Sequence, residues 1–420
     1  MKRVQLDKST RMARRQFLKS AGGVSVAVVT SSTLSGCDEG EPTARAFSPP
    51  RGIVRDFADP YLELIRLLRE AAEIEHDLMI QYLFAAFSLK PAYEDLAGFA
   101  MAEPHSLLGV AIQEMQHLAG VNHLLRELGH RPVLERADFP FENDLYPFTF
   151  ELEPMSRLSL AKYTYCEAPE VAFTQDPDST PGHTKFLIDI RETLGHSVRI
   201  NHVGTLYMEV LARLQELSQQ DDKPDIDYIG WREKLLHIAE EGEVDHYNFF
   251  RSLFMANHPA LRKNTQIWSL PVDHERYPSR LISGDHTAYV GQPNTIPDET
   301  ARELAWLGNL TYWATLILLS IAYETDNIYH PAIAHSKNLM IGPLWSLGRV
   351  LPDYGYGLPF DRLSMHYNPG GNVDHAKTIV VRLLTEAEQK ARAMDPVTFP
   401  VEMDRNVFTL YKNLIIESEF

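Results

Sequence analysis

Apolar residues recur every three or four positions from residue 60 to residue 90, with Leu64, Leu68, Ala71, Met79, Tyr82 and Ala86 on one helical face. Asp59 and Pro60 supply a cap and a first-turn proline, and Pro91 closes the run, so a first helix is predicted over 60–90. A second stripe, Leu107, Val110, Leu118, Val121 and Leu125, predicts a helix over 104–129 that ends on Gly129, a residue suited to left-handed backbone just past a helix. A third helix is predicted over 185–219, interrupted at Gly195, with Val203, Tyr207, Val210, Leu214 and Leu217 as its stripe. A fourth is predicted over 228–256 on Leu236, Ala239, Tyr247 and Phe250. Helical periodicity returns over 299–324, 335–351 and 373–394, separated by loops such as Tyr354-Gly355-Tyr356-Gly357. Strand signals are few, and the predicted fold class is all-α.

The first four helices are joined by a short, a long and a short connection. The long one is rich in proline and aromatic residues, including Phe139-Pro140-Phe141 and Tyr146-Pro147-Phe148. This is the pattern of a ferritin-like four-helix bundle, where one crossover between helices 2 and 3 joins two hairpins. The predicted organisation is an export signal over 1–37, a tether over 38–58, the bundle over 59–256, and a helical C-terminal extension over 257–420 packed on it.

Composition and charge narrow the setting. The chain has 420 residues, 44% hydrophobic and 23% charged, which excludes disordered and disulfide-scaffold classes. Its net charge is −17, and residues 1–37 hold seven basic residues against one acidic, so the remainder carries −23. Such a field disfavours nucleic acid and anionic lipid, and no nucleic-acid partner is expected. No uninterrupted apolar run reaches the about 18 residues that span a bilayer. Arg14-Arg15-Gln16-Phe17-Leu18-Lys19, a weakly apolar stretch and Leu34-Ser35-Gly36-Cys37 form an export layout. The paired arginines resemble a twin-arginine signal, which implies the twin-arginine export machinery as a partner and a periplasmic or other extracytoplasmic location. Leu-Ser-Gly-Cys resembles a lipobox, which would acylate Cys37 and make that lipid the sole membrane contact; a plain cleaved signal is the alternative. Cys166 is read as a buried, inert thiol.

The chemistry lies on the stripes. Glu-x-x-His sets a carboxylate and an imidazole on adjacent turns of one helix face, the way bundles hold paired iron or manganese ions. Chance predicts about one such pair, and four occur: Glu73/His76, Glu114/His117, Glu127/His130 and Glu243/His246. Glu114 and Glu243 stand where apolar residues belong in helices two and four. Glu127/His130 straddles a helix end, and Glu73 is assigned with Arg69 and Asp77 to a wet face. Glu75 occupies the stripe of helix one, and Glu209 is the Glu central in helix three, with weaker phase. Several carboxylates on inward faces need cations or protons. The expected metal ligands are therefore Glu75, Glu114, His117, Glu209, Glu243 and His246, around two iron ions or manganese in their place; zinc remains open.

Glu75-His76-Asp77-Leu78-Met79-Ile80-Gln81-Tyr82, Gln113-Glu114-Met115-Gln116-His117-Leu118 and Glu241-Gly242-Glu243 resemble the ferritin-like domain of the iminophenylpyruvate dimer synthase family. Ile341-Gly342-Pro343-Leu344 through Gly357-Leu358-Pro359-Phe360 resembles that family's C-terminal extension. The resemblance implies oxidative chemistry with dioxygen on a small-molecule substrate. It departs at Thr205, where family members usually carry a Glu on helix three, and Glu209 is the expected substitute. The expected function is a dimetal-carboxylate oxidase or oxygenase of the cell envelope. A non-catalytic metal-binding or storage protein, or a metal-free structural bundle, is the alternative.

Overall fold

The computed structural model describes residues 53–99, 101–136, 148, 151–173, 181–195, 203–261, 264, 266–325, 327, 329–363, 372–401 and 403–420. The expected export signal, Cys37 and most of the aromatic crossover segment lie outside the described residues.

Helix α1 (Pro60–Ser88) starts where Asp59 accepts a hydrogen bond from the Leu62 amide, at 2.9 Å, with Pro60 in the first turn. Helix α2 (Leu107–Glu127) is capped by Ser106, whose side chain accepts from the Gly109 amide. It ends as expected on Gly129, at φ +85°, while the His130 amide reaches back to the Leu125 carbonyl at 2.8 Å. The predicted third helix divides at Gly195, which has φ +92°, into α4 (Pro181–Leu194) and α5 (Val203–Ser218). Helix four comprises α6 (Tyr228–Glu241), a π turn (Gly242–His246) and α7 (Tyr247–Phe254). Helix α1 packs on α2 and α5, and α6 packs on α5 and α2, closing a ring of four. The crossover carries a further helix, α3 (Arg157–Cys166), set by reciprocal capping between Ser156 and Ser159, and α3 packs against α4 and α7.

The extension supplies α8 (Glu299–Tyr323), α9 (Pro331–Leu339), α10 (Trp345–Val350), α11 (Val373–Ala393) and α12 (Val407–Glu417). Helix α8 is long and apolar enough to cross a membrane by length and composition, and 83% of its most apolar window is buried inside the structure, as in a core helix. Helices α8 and α10 touch α2 and α1, respectively. Among the described residues there are only isolated β-bridges, and the fold is all-α.

This covering explains a correction to the sequence reading. The Glu73 side of α1 is not a wet face: His76 is fully buried, Asp77 is buried and Glu73 half-buried. The Tyr312 hydroxyl of α8 lies 2.8 Å from His76 Nε2. Burial and the nearby Arg136 charge push the His76 imidazole down to about 3, so it is neutral. With one side of α1 on the bundle and the other under the extension, the helix is buried nearly all round.

Candidate dimetal centre

Two triads of buried side chains meet between the helices: Glu75, Glu114 and His117, and Glu114, Glu167 and His246. Within each triad the candidate ligand atoms all lie within 4.8 Å of one another. Glu114 belongs to both. Its Oε2 is 2.8 Å from His117 Nδ1 and its Oε1 is 2.9 Å from His246 Nδ1. The outer carboxylates complete the sets, with Glu75 Oε2 at 3.5 Å from His117 Nδ1 and Glu167 Oε2 at 3.6 Å from His246 Nδ1. The two imidazole rings are 5.8 Å apart.

Each outer carboxylate is held by a tyrosine. Tyr207 of α5 donates its hydroxyl hydrogen to Glu75 Oε1, and Tyr82 of α1 donates to Glu167 Oε1. The far nitrogens of the imidazoles are tied together. His117 Nε2 is 2.9 Å from Glu241 Oε2, His246 Nε2 is 3.2 Å from Gln113 Oε1, and the Gln113 amide donates to Glu241 Oε1. With the Gln113 amide nitrogen donating to Glu241, its oxygen must accept from His246, so His246 carries its proton on Nε2. Glu241, an acceptor, fixes the same tautomer on His117. Both Nδ1 atoms then face Glu114, holding a proton toward it in the metal-free protein that metal binding would displace.

The electrostatics follow from this crowding. Burial and the neighbouring Glu114 charge push the Glu75 carboxyl up to about 8. Burial alone would also raise Glu114, but the His246 and His117 charges outweigh it and hold the carboxyl well below its ordinary range. Burial would lower both imidazoles, and Glu114 overcomes it, with His246 pushed up to about 10 and His117 well above its ordinary value. Burial and Glu114 raise Glu167. In the metal-free protein the cluster thus neutralises itself by holding protons.

Glu75 Oε2, and Glu114 Oε1 and His246 Nδ1 at 2.9 Å from each other, are buried without an aligned hydrogen bond. Protein interiors rarely leave such atoms unsatisfied. Oxygen and imidazole donors arranged this way fit divalent iron or manganese, and the cluster is compatible with a dimetal site. An adjoining cavity of about 20 Å³ is lined by Glu75, Glu114, Glu167, Gly204 and Glu243. It holds about one water-sized molecule.

Of the six residues expected as ligands, Glu75, Glu114, His117 and His246 come together. Glu209 does not. It lies 200° around the helix from Tyr207, whose stripe takes the inward face, and its carboxylate is 3.7 Å from Arg213 with 36% of the side chain exposed. Glu243 is half-buried and lines the small cavity, outside both triads. The π turn over Gly242–His246 widens one turn and shifts the face of helix four, so Glu241 reaches His117 instead.

Glu167 and Gln113 were not legible as site residues. Glu167 directly follows α3 on the crossover and lines the small cavity together with Gly204 and Tyr207 of α5. Its signal is the need for one more inward carboxylate. A Cβ added at Gly242 would meet Glu167 Oε2 at 3.0 Å, so glycine leaves this side chain room. Cys166 beside it is buried, and burial holds its thiol well above the ordinary range.

Comparisons agree with this architecture. Residues 68–255 match the family model described as Ferritin-like, and the chain carries a ferritin-like domain there. A stretch of 131 residues is 32% identical to the dichlorochromopyrrolate synthase of Lentzea aerocolonigenes; the match covers 26% of this chain and spans only 13% of that protein's length. A solved ferritin-like protein from Caulobacter vibrioides aligns at 15% identity over 73% of this chain and 99% of its own, with a TM-score of 0.41.

Proposed function

We propose that this chain is a dimetal-carboxylate oxidase or oxygenase that holds two iron ions, or manganese, and uses dioxygen on a small organic substrate. The observation carrying this reading is Glu114, whose two oxygens face two imidazole–carboxylate sets with unsatisfied buried atoms turned inward. Glu114 would bridge; Glu75 and His117 would hold one ion, Glu167 and His246 the other. When bound, such a metal pair supplies the electrons and Lewis acidity for reducing dioxygen. Tyr207 and Tyr82 orient the outer carboxylates, while Gln113 and Glu241 keep the imidazole protons on Nε2. Packing excludes bulk water from the cluster, which strengthens every electrostatic contact within it.

The partial match to a synthase of a small organic compound and the resemblance to a family of oxidative coupling enzymes support the substrate class. Arg14-Arg15 and the Leu-Ser-Gly-Cys37 motif support export of the folded protein by the twin-arginine route, with lipid anchorage through Cys37. A second reading, metal binding without turnover, draws on the cavity beside the cluster, whose about 20 Å³ holds one water-sized molecule and no organic one.

Oxygen uptake separates the two. Iron(II)-loaded protein supplied with ascorbate should consume oxygen beyond the amount that oxidises its bound ions once, and Glu114→Ala should not. Uptake that stops after a single oxidation in the wild type would favour metal binding alone.

A further inference from the structure

On the side of α2 away from the cluster lies a second, much larger cavity of about 770 Å³. It opens between the bundle and the extension. Met79 and Phe87 of α1, Ala119 of α2, and Leu344 and Trp345 from the extension form much of its wall. Helix α2 is a shared partition: Glu114 and His117 face the cluster, while Met115 and Gln116 between them line this cavity. Its volume falls in the range of organic-ligand pockets, about 300–1,000 Å³. Interiors are otherwise packed too tightly to leave such a void, and an apolar one does not fill with ordered water.

Two features define what fits. Three large apolar side chains of the same lining are exposed, Met101 at 70%, Ile112 at 39% and Ile341 at 61%, which marks an apolar entrance. Among the described residues, no Asp or Glu lines the cavity. Its ionisable lining residues are His123, whose ring packs edge-on against Tyr323 at 5.6 Å, and the exposed Lys337. Among these described residues a cation meets no carboxylate, whereas an anionic head has the Lys337 ammonium within the lining.

We propose that this cavity is a binding site for a long-chain carboxylate, with the hydrocarbon tail between α1, α2 and the extension and the carboxylate at Lys337. The long tail matches an apolar lining of this volume, and the single charged head matches the one ammonium among the described lining residues. The proposal is independent of the metal chemistry and survives its failure.

The test uses the full chain, stripped of bound lipid and titrated with the fluorescent fatty acid cis-parinaric acid. One saturable site per chain is expected, with displacement by hexadecanoic acid at least tenfold stronger than by hexadecanol. Ala119→Trp, which places an indole in the cavity, should weaken cis-parinaric acid binding at least tenfold. Met115→Trp on the same wall serves if the first variant fails to fold. Lys337→Glu should weaken hexadecanoic acid about tenfold and leave hexadecanol unchanged. Absence of saturable binding by the wild type, or wild-type affinity in the folded tryptophan variant, would overturn the site. Unchanged acid affinity in Lys337→Glu would overturn the carboxylate assignment.

Discussion

Gln113 and His246 meet across the bundle, with the amide oxygen of Gln113 3.2 Å from His246 Nε2. Because the same amide donates to Glu241, and Glu241 lies 2.9 Å from His117 Nε2, one neutral side chain links the outer nitrogens of both imidazoles. Gln113→Leu should fold and keep its helical content. It should lose about 10–100-fold in affinity for one ion, the usual cost of removing the group that orients a ligating histidine. Calorimetric titration with iron(II) under anaerobic conditions reads this directly, and two unchanged binding steps would show that the link does not position His246.

In the proposed site Glu167 takes the ligand place that the sequence expectation gave to Glu209. Glu167→Ala should lower the metal stoichiometry from two ions per chain to one, because the His246 set loses its outer carboxylate. Glu209→Ala should leave stoichiometry unchanged, since that side chain pairs with Arg213 outside both triads. Metal analysis after gel filtration distinguishes them, and one ion retained by Glu209→Ala would reverse the assignment.

The pH dependence has a definite sign. Glu75 shifts from 4.5 to about 8 and His246 from 6.5 to about 10, so over those windows the folded metal-free protein holds more protons than the unfolded chain. Its stability must therefore fall with rising pH, by up to about 1.4 kcal/mol per pH unit for each group. The contribution of Glu75 is lost between 4.5 and about 8, and that of His246 between 6.5 and about 10, so the decline is steepest where the windows overlap. The depressed Glu114 acts oppositely, losing its contribution as pH falls below its ordinary range. Metal affinity should rise with pH through the same overlap, because binding displaces protons. Thermal unfolding of metal-free protein at a series of pH values checks the first claim; a midpoint that climbs from 6.5 to 8 would contradict it.

The docking of the extension rests on small residues. A Cβ at Gly357 would come within 2.0 Å of the Phe84 ring, and one at Gly348 within 2.7 Å of Phe87. Gly357→Val should destabilise the protein by about 1–3 kcal/mol through overpacking. Chemical denaturation at one metal concentration measures it, and an unchanged midpoint would mean that the extension shifts freely on α1.

Much of this architecture was legible because periodicity and caps agreed. Asp59, Pro60 and Gly129 mark helix ends as read, while the second helix starts at Leu107 behind Ser106 and not at 104, and Glu75, Glu114 and His117 sit at the depth their stripes imply. Helix four was legible in extent and in its buried stripe, and Glu243 lines the small cavity, but periodicity carries no sign of the π turn that brings Glu241 to His117. Glu167 escaped because it reaches the cluster from the crossover, by tertiary packing of α3 on α7. The Glu73 side of α1 read as solvent-facing because charged residues there are covered by a helix more than 200 residues later in the chain, as the His76–Tyr312 contact records.

In the proposed centre Glu114 joins two metal positions. Anaerobic titration of metal-free wild type and Glu114→Ala with iron(II), followed by Mössbauer spectroscopy of the iron-57-loaded proteins after oxidation, tests it most directly. Two ions per wild-type chain with the signature of a spin-coupled pair are expected, and in Glu114→Ala at most one weakly held ion with no coupling. Two uncoupled ions in the wild type, or a coupled pair that survives in Glu114→Ala, would contradict it.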